Sequence, residues 1–463
     1  MEKYKHELSV ALIKFIYLCA VTAAFGAAWF VFYSRHLYVR GFYFWGDWCV
    51  IALYFVIFLV MARTYEATII SMVRISEMVY SQVLTLLVAD GLIFVVICLL
   101  SRRLVNVLPL LLAAAAQIAL SVVWSVISHK WYYAVFPPQK SAVIYDRREG
   151  MENLVREYGL DKKFRIAFTA RVSDCLGDLS QLRELDSVFL SGIRSHDRNI
   201  ILKYCIAHDV EVYVIPRIGD VIMSGARQIH MFHLPMLRVG RYRPSFWYLF
   251  IKRAFDIAVS LVMLILTSPI FLATAIAIKA GDGGPVFYSQ VRLTKNGRKF
   301  RILKFRSMRI DAEKDGVARL STGDKDDRIT PVGHVIRKCR IDELPQLINI
   351  LKGEVSVVGP RPERPEIAAR YEKTMPEFRL RLQAKCGLTG YAQVYGKYNT
   401  TPYDKLQMDL MYIAHPSFIE DLKICFATVK ILFMADSTEG VAEGSTTAMD
   451  QPAVKAADKT GRK

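Results

Sequence analysis

Residues 255–278, FDIAVSLVMLILTSPIFLATAIAI, form an apolar segment of 24 residues that Ser268 and Pro269 interrupt past its middle. Proline has no amide hydrogen and clashes with the preceding turn, so a helix must kink or break there. The two parts would reach only about 20 Å and 14 Å, and neither crosses roughly 30 Å of hydrocarbon alone. The segment is therefore either a kinked helix that spans the bilayer or a re-entrant hairpin whose ends stay on one face.

The charges that flank this segment favour the hairpin. Lys252 and Arg253 precede it and Lys279 follows it, so both ends carry positive charge that suits anionic headgroups. Backbone groups freed at a break must find internal partners, and Ser268 could supply one. We therefore predict a re-entrant membrane helix over residues 255–278, broken at Ser268 and Pro269.

The first 130 residues contain four more apolar stretches, at about 12–33, 48–62, 82–100 and 105–127. Each is near the ~20 residues that a helix needs to cross a bilayer, and the first is too long for a removable signal peptide. We predict a four-helix transmembrane bundle over residues 1–130. Basic residues divide almost evenly between the two sides, so they only weakly favour a cytoplasmic N-terminus.

Composition agrees with a membrane protein that meets anionic partners. Hydrophobic residues make up 53% of the 463 residues, and the formal net charge is +18. This combination is unusual for a soluble globular protein and suits contact with membrane phospholipids or phosphorylated substrates. We expect no nucleic acid partner. The eight cysteines show no CxxC and no metal-ligand spacing, which indicates reduced thiols instead of disulfides or a zinc site.

Residues 141–240 have the alternation of a parallel α/β domain. SAVIYDRREG, DSVFLSG and DVEVYVIP are predicted strands, and LRELDS and DRNIILKYCIAHD are predicted helical connections. A dinucleotide site needs glycines after the first strand, but here residues 145–149, a tyrosine and four charged residues, fill that turn and only Gly150 follows. We predict a Rossmann-like domain without a nucleotide, used for structure or assembly. A degenerate cofactor site is the alternative.

Two basic segments follow. GRKFRILKFRSMR (297–309) reads as a strand with six basic residues among apolar ones, which favours a phosphate ligand. The alternative is a basic edge strand that faces acidic lipid or discourages aggregation. DRITPVGHVIRKCR (327–340) predicts a short helix with Thr330 as N-cap and Pro331 in its first turn, and Arg337 falls near its end.

The stretch RIDELPQLINILKGEVSVVGPRPE (340–363) contains the adjacent acids Asp342 and Glu343. Leucine and isoleucine at 344, 347, 348 and 351 predict an amphipathic helix, which Asp342 could simply cap. The helix dipole would then lower the pKa of Asp342. Alternatively, one carboxylate acts as a nucleophile toward phosphorus and the other holds a divalent cation. Arg361, fixed between two prolines, would bring a rigid guanidinium, so together these features favour a phosphoryl-transfer site.

Seven motifs follow one another along the chain: KRAFD (252–256), the interrupted apolar segment, KFRSM (304–308), DELPQL (342–347), VGPRPE (358–363), GLTGYAQV (387–394) and DLMY (409–412). In these motifs the sequence resembles the bacterial polyprenyl-phosphate sugar-1-phosphate transferases. The resemblance covers about residues 245–435, and its motifs occur in the order of that family. Four membrane helices before a Rossmann-like domain are similar to the larger members, which begin exopolysaccharide, capsule or O-antigen repeat units.

This resemblance implies a mostly helical, monotopic catalytic domain over residues 245–435 on the cytoplasmic face of the bacterial inner membrane. It implies that Asp342 attacks the sugar-linked phosphorus of a UDP-sugar and releases UMP. Polyprenyl phosphate would then take the phosphosugar from the enzyme. Glu343 would bind Mg²⁺, and the remaining expected contributors are the phosphate-binding Lys304, Arg306, Arg337 and Arg361 and the polar Asp409.

The sequence departs from the family at Cys386, where a proline is common, and we expect a looser turn there. Residues 436–463 are small and polar, which predicts a disordered tail. The sequence does not specify the transferred sugar. Glucose and galactose are the first expectations, and an N-acetylated hexosamine is the next. A homodimer is plausible. The alternatives to an enzyme are a transporter or channel with a regulatory domain and a non-catalytic assembly scaffold.

Overall fold

The computed structural model describes residues 2–34, 44–146, 148–309, 328–396 and 400–432. The chain divides into two compact units, an N-terminal unit at Met1–Ile215 and a C-terminal unit at Pro216–Lys463. The predicted disordered tail lies outside the described residues.

Four long helices begin the N-terminal unit, and they coincide largely with the four predicted apolar stretches. Apolar side chains from all four helices form a common core. With one helix of the C-terminal unit, the described residues contain five helices that are long and apolar enough to cross a membrane, as expected of a membrane protein. The four helices are α1 (Glu2–Ala28, continued by a π-helical turn at Trp29–Tyr33), α2 (Phe44–Thr64), α3 (Ile75–Ser101) and α4 (Leu108–Val135).

The polar side chains of these helices bind one another. Tyr54 of α2 donates to Asp90 of α3 at 2.8 Å, and Gln117 of α4 donates to Tyr54 at 2.8 Å. Polar groups in an apolar surrounding are costly unless they are paired. Asp90 and Gln117, the polar residues that stand out in these apolar segments, therefore link three helices.

A four-stranded parallel sheet in the order β2-β1-β3-β4 completes the N-terminal unit. The expected parallel sheet is therefore present, but β2 is an additional strand at the sheet edge, in which exposed and half-buried residues alternate after a buried first residue. LRELDS is not the predicted helix; the connection before β3 contains α6 and a 3-10 turn at Ser180–Leu182. The elements are β1 (Gln139–Tyr145), α5 (Met151–Glu157), β2 (Phe164–Arg171), α6 (Val172–Gly177), β3 (Ser187–Ser191), α7 (Ser195–Ala207) and β4 (Glu211–Val214).

The C-terminal unit mixes helices with short strands around one apolar core. Its two antiparallel hairpins are β5–β6 and β7–β8, and a short parallel pair joins β9 to β10. The elements are α8 (Ile218–Ser224), β5 (Arg227–Met231), β6 (Leu234–Arg238), α9 (Phe246–Asp282), β7 (Phe287–Leu293), β8 (Lys299–Phe305), α10 (Pro331–Lys338), α11 (Gln346–Lys352), β9 (Ser356–Val358), α12 (Pro365–Thr374), β10 (Gly387–Thr389), α13 (Tyr391–Val394), α14 (Pro402–Ala414) and α15 (Phe418–Leu432).

The apolar segment at residues 255–278 lies within α9, which stays α-helical through Pro269. The expected interruption of helical structure is therefore not seen. Pro269 leaves the carbonyl of Ile265, four residues earlier, without its amide donor, and the hydroxyl of Ser268 donates to this carbonyl at 2.8 Å. Ser268 is thus a partner for the carbonyl that Pro269 leaves free, whereas the re-entrant course of the helix stays a prediction.

Candidate active site

Asp342 and Glu343 lie in a 3-10 turn at Ile341–Glu343, between α10 and α11. Arg340 enters this turn in the left-handed conformation, with a φ of 56°. The N-cap of α11 is Pro345, not Asp342, so the predicted helix cap is wrong. The extra turn frees the Asp342 carboxylate from capping the helix.

Four cations surround the two carboxylates. The Lys304 Nζ lies 2.9 Å from Glu343 Oε1 and 3.6 Å from Asp342 Oδ2. Arg361 Nη2 and Arg340 Nη1 lie 3.7 Å and 3.9 Å from Glu343 oxygens. The fourth cation, Arg337, is close enough to lower the pKa of Asp342 electrostatically. The structure thus brings Lys304, Arg337 and Arg361 together with the dyad, as predicted.

Asn349 of α11 joins the basic strand to the helix that follows the dyad. Its side chain donates to the Arg301 carbonyl at 2.8 Å and accepts from the Leu303 amide at 2.9 Å. Sequence reasoning missed this residue because it searched the helix for an apolar stripe. Of the predicted apolar positions only Leu347 is buried; the buried face is Gln346, Leu347, Asn349 and Ile350.

The two neighbouring acids have opposite shifts. Burial raises the pKa of Asp342, and the nearby Lys304 only partly opposes this. The expected lowering by a helix dipole is therefore wrong. Burial would also raise the pKa of Glu343, but Lys304, Arg361 and Arg340 outweigh it and hold this pKa below its ordinary value. Glu343 consequently stays ionised to a lower pH than Asp342 does.

Arg361 extends from a tight turn that follows β9. Gly359 is required there, because a Cβ would lie 2.3 Å from the Lys385 carbonyl oxygen. The Arg361 carbonyl accepts a hydrogen bond of 2.8 Å from Arg381, while 46% of the Arg361 side chain remains exposed. A rigid backbone thus presents a guanidinium that a ligand can reach.

Arg306 and Asp409, predicted as further site residues, are engaged elsewhere. Both guanidinium nitrogens Nη1 and Nη2 of Arg306 bind Asp282 at the end of α9. Asp409 is paired with Arg381, whose Nη2 lies 2.7 Å from Asp409 Oδ2. Burial raises the pKa of Asp409 to about 6 against the opposing charge of Arg381. The structure thus pairs Arg306 with Asp282 and Asp409 with Arg381, and their predicted role at the site stays a prediction.

Cys386 is buried immediately before β10. Its carbonyl accepts a hydrogen bond of 2.8 Å from the Ser356 amide, and its Sγ lies 3.3 Å from Thr294 Oγ1. The pairing of β9 with β10 is therefore kept at the position where a proline is common, and the expected loosening is not seen in the backbone.

The acid pair suits a hard cation that shares its ligands with a substrate. Over the described part of the chain, no group of three or more His, Cys, Asp or Glu side chains could hold a metal ion by itself. Mg²⁺ characteristically binds one or two carboxylates and completes its shell with phosphate oxygens and water. The ionised Glu343 fits this requirement.

A pair of mostly buried acids beside partly exposed cations is suited to a phosphorylated ligand, here in a unit with a helix long and apolar enough to cross a membrane. The chain belongs to the bacterial sugar transferase family, whose sequence model matches residues 247–435. That match begins with α9 and continues past the end of α15, so it covers every residue of the site.

Individual relatives agree with this assignment. The chain is 40% identical over 190 residues, or 39% of its length, to the exopolysaccharide production protein PSS of Rhizobium leguminosarum bv. phaseoli, of which 94% is covered. It is 39% identical over 191 residues to a UDP-glucose:undecaprenyl-phosphate glucose-1-phosphate transferase of Caulobacter vibrioides, covering 40% of this chain and 71% of that protein.

A longer relative is the UDP-N-acetylgalactosamine-undecaprenyl-phosphate N-acetylgalactosaminephosphotransferase of Aeromonas hydrophila. It is 38% identical over 234 residues, covering 50% of this chain and 54% of that protein. The chain thus matches about half the length of this relative.

Proposed function

We propose that this protein transfers a sugar-1-phosphate from a UDP-sugar to polyprenyl (undecaprenyl) phosphate and releases UMP. This is the first membrane step in assembling an exopolysaccharide, capsule or O-antigen repeat. The observation that carries the proposal is the Asp342–Glu343 pair within a ring of four cations. The names of the relatives support the lipid acceptor and a hexose or N-acetylhexosamine donor.

In the first step, a carboxylate oxygen of Asp342 attacks the sugar-linked phosphorus. The bond from this phosphorus to the bridging oxygen breaks, and UMP leaves with the bonding electron pair. The product is an acyl phosphate that carries the sugar. Lys304 and Arg361 would stabilise the charge that builds up on the phosphate oxygens, since both lie beside the dyad.

In the second step, a phosphate oxygen of the polyprenyl carrier attacks the same phosphorus. The bond to Asp342 breaks, so the carboxylate is regenerated and a polyprenyl diphosphate sugar leaves. The raised pKa of Asp342 makes it a stronger nucleophile than an ordinary carboxylate, while the Lys304 charge keeps its anion accessible.

Glu343 would hold Mg²⁺ together with phosphate oxygens of the donor. When bound, this ion would neutralise charge on the diphosphate and so favour departure of UMP. Before a donor arrives, the cations beside Glu343 compensate its charge.

We further propose that α9 is re-entrant and that the catalytic domain lies on the cytoplasmic face of the bacterial inner membrane. Asp256, near the start of the apolar stretch, accepts a hydrogen bond from β9, and Asp282, at the end of α9, binds Arg306 after β8. Polar residues on both sides of the stretch therefore contact the same unit. Between them, large apolar side chains such as Ile265, Leu266 and Leu272 are exposed, which suits lipid contact.

Cysteine labelling tests this topology. In a cysteine-free background, Arg243→Cys and Pro285→Cys introduce thiols at exposed positions on either side of the apolar stretch. We expect a membrane-impermeant maleimide to label both in inverted vesicles and neither in intact cells. Labelling from opposite faces would mean that the helix spans the bilayer.

The reaction is tested with the purified full-length protein, undecaprenyl phosphate, Mg²⁺ and a panel of UDP-sugars. The panel contains UDP-glucose, UDP-galactose and their N-acetylated counterparts, and UMP release is measured. We expect release with at least one sugar and none from Asp342→Ala. Absence of UMP with every sugar, or full activity in Asp342→Ala, would overturn the proposal.

A further inference from the structure

One polar turn of the membrane helix, Lys252–Asp256, holds two elements of the candidate site. Arg253 donates to the Ile350 and Leu351 carbonyls at 2.7 Å and 2.8 Å, at the end of the helix that follows the dyad. Asp256 accepts from the Val357 amide at 2.9 Å and from the Ser356 hydroxyl at 3.1 Å, in the strand that leads to Arg361. Neighbouring groups of one helix thus reach α11 and β9.

The contact of Asp256 has little freedom. Its side chain is buried, and both hydrogen bonds end on the same oxygen, Oδ1. Only Val358, Gly359 and Pro360 separate the bonded Val357 amide from Arg361. Proline and a closely packed glycine restrict these residues, so a shift of β9 is transmitted to the guanidinium.

We propose that Asp256 is a positioning residue, which acts on the reaction by holding β9 and thereby Arg361 in place. Asp256 touches neither the dyad nor its cations among its described hydrogen bonds. Through it, the membrane helix helps to set the geometry of the phosphate site. The expected effect of Asp256 on kcat/KM rests on the proposed transfer reaction. The expected effect of Asp256 on the position of β9 does not.

The location of Asp256 gives this role a consequence for membrane attachment. The buried Asp256 lies between exposed apolar side chains of α9, such as Phe250 before it and Leu261 after it. Lys252, one turn earlier, binds Asp421 of α15 at 3.0 Å. Lys252 therefore attaches α9 to α15, and Asp256 attaches it to β9, the strand that leads to Arg361.

The variants follow from the shared acceptor oxygen. Asp256→Asn keeps Oδ1 and removes the charge, whereas Asp256→Ala removes the acceptor. Ser260→Ala is the matched control, because Ser260 is buried one turn further along α9 and its hydroxyl has no hydrogen-bond partner among the described residues. We expect Asp256→Ala to lower kcat/KM for the UDP-sugar at least about tenfold, since small displacements of a positioned group are costly. Asp256→Asn and Ser260→Ala should stay within about threefold of wild type.

A double-mutant cycle distinguishes positioning from general damage. If Asp256 acts through Arg361, Asp256→Ala should have little further effect on kcat/KM in an Arg361→Ala protein. A full, additive loss in that background would overturn the proposal. Equal losses in Asp256→Asn and Asp256→Ala would also overturn it, because the charge and not the held strand would then matter.

Hydrogen exchange of the purified proteins provides a readout that needs no activity. We expect peptides that cover residues 356–363 to exchange faster in Asp256→Ala than in wild type, Asp256→Asn or Ser260→Ala. Unchanged exchange in Asp256→Ala would reject the tie between the helix and β9, whatever the reaction. Absence of UMP release from wild type would instead reject the proposed function and leave the exchange result to decide this inference.

Discussion

Two clusters in the C-terminal unit combine carboxylates with arginines, but they differ in charge balance and in exposure to solvent. Around Asp342 and Glu343, four cations meet two carboxylates, and 46% of the Arg361 side chain is exposed. In the second cluster, Arg381 and Asp409 bind each other with side chains that are 6% and 2% exposed. The first cluster has surplus positive charge that a ligand can reach, whereas the second is closed.

This difference indicates what makes a charged cluster a ligand site. In a buried ion pair, the free-energy cost of removing both charges from water offsets much of the attraction between them. An excess of reachable cations leaves attraction for an anionic substrate. We therefore assign chemistry to the Asp342 cluster and support to the Arg381 cluster, and substitutions in each should have distinct effects.

The largest effect is expected for Asp342→Asn. The amide keeps the shape of the side chain but is no nucleophile, so UMP release should fall on the order of 10⁴-fold. Intact-mass measurement after mixing with the UDP-sugar should show a phosphosugar adduct in wild type and none in the variant. Glu366→Gln, an exposed acid of α12, is the control and should retain both. An adduct that persists in Asp342→Asn would assign the nucleophile to another residue.

Glu343→Gln should have the next largest effect, about 10²-fold on kcat. An amide is a weak ligand for Mg²⁺, and the substitution removes the nearer of the two carboxylates beside Lys304. The rate should therefore need a much higher Mg²⁺ concentration for half saturation, which a titration of UMP release against Mg²⁺ measures. An unchanged Mg²⁺ requirement would remove Glu343 from the metal site and leave it as a partner of Lys304.

Sequence reasoning located much of the site because each motif is short and local. The dyad, Lys304, Arg337 and Arg361 are within segments whose spacing or proline content restricts their conformation. The structure brings them together as expected. The parallel sheet and the apolar helices were predictable for the same reason, since their periodicity is written in contiguous residues.

A local sequence pattern does not indicate partners that are distant along the chain. Arg306 is adjacent to the basic strand, but its partner is Asp282, and Asp409 binds Arg381 across 28 positions. Nothing in a local pattern indicates which acid a given arginine will meet. Asn349 was missed because a buried polar residue becomes explicable only when the two backbone groups that it binds are known.

Breaking the closed cluster should lower stability instead of removing one catalytic group. Arg381→Met leaves Asp409 as a buried carboxylate without its partner, so we expect a loss of about 3 kcal/mol in unfolding free energy. Arg381→Met with Asp409→Asn should recover part of it, since the unpaired charge is gone. Thermal unfolding in detergent measures both. Arg379→Met, an exposed arginine of the same 3-10 helix, is the control. Equal losses of unfolding free energy in Arg381→Met and Arg379→Met would show that the ion pair between Arg381 and Asp409 contributes little to stability.

The smallest expected effect is the pH dependence that Asp409 contributes. Burial raises its pKa to about 6 from the model-peptide value of 3.8, while Arg381 and Lys405 oppose this shift and Glu363 adds to it. Between these pH values the folded protein binds more protons at this residue than the unfolded chain does. The contribution of Asp409 therefore makes the fold less stable as the pH rises from about 4 to about 6.

Asp409→Asn should remove this contribution, because the amide does not titrate. The melting temperature of the variant minus that of wild type should increase between pH 4 and pH 6 and be constant above about pH 7. Taking the difference cancels the titration of Glu343, whose lowered pKa stabilises the fold above about pH 4.5 in both proteins. A difference that stays flat from pH 4 to pH 7 would mean that Asp409 is ionised throughout. Arg381 would then keep Asp409 ionised in the closed cluster, as the surrounding cations keep Glu343 ionised in the dyad.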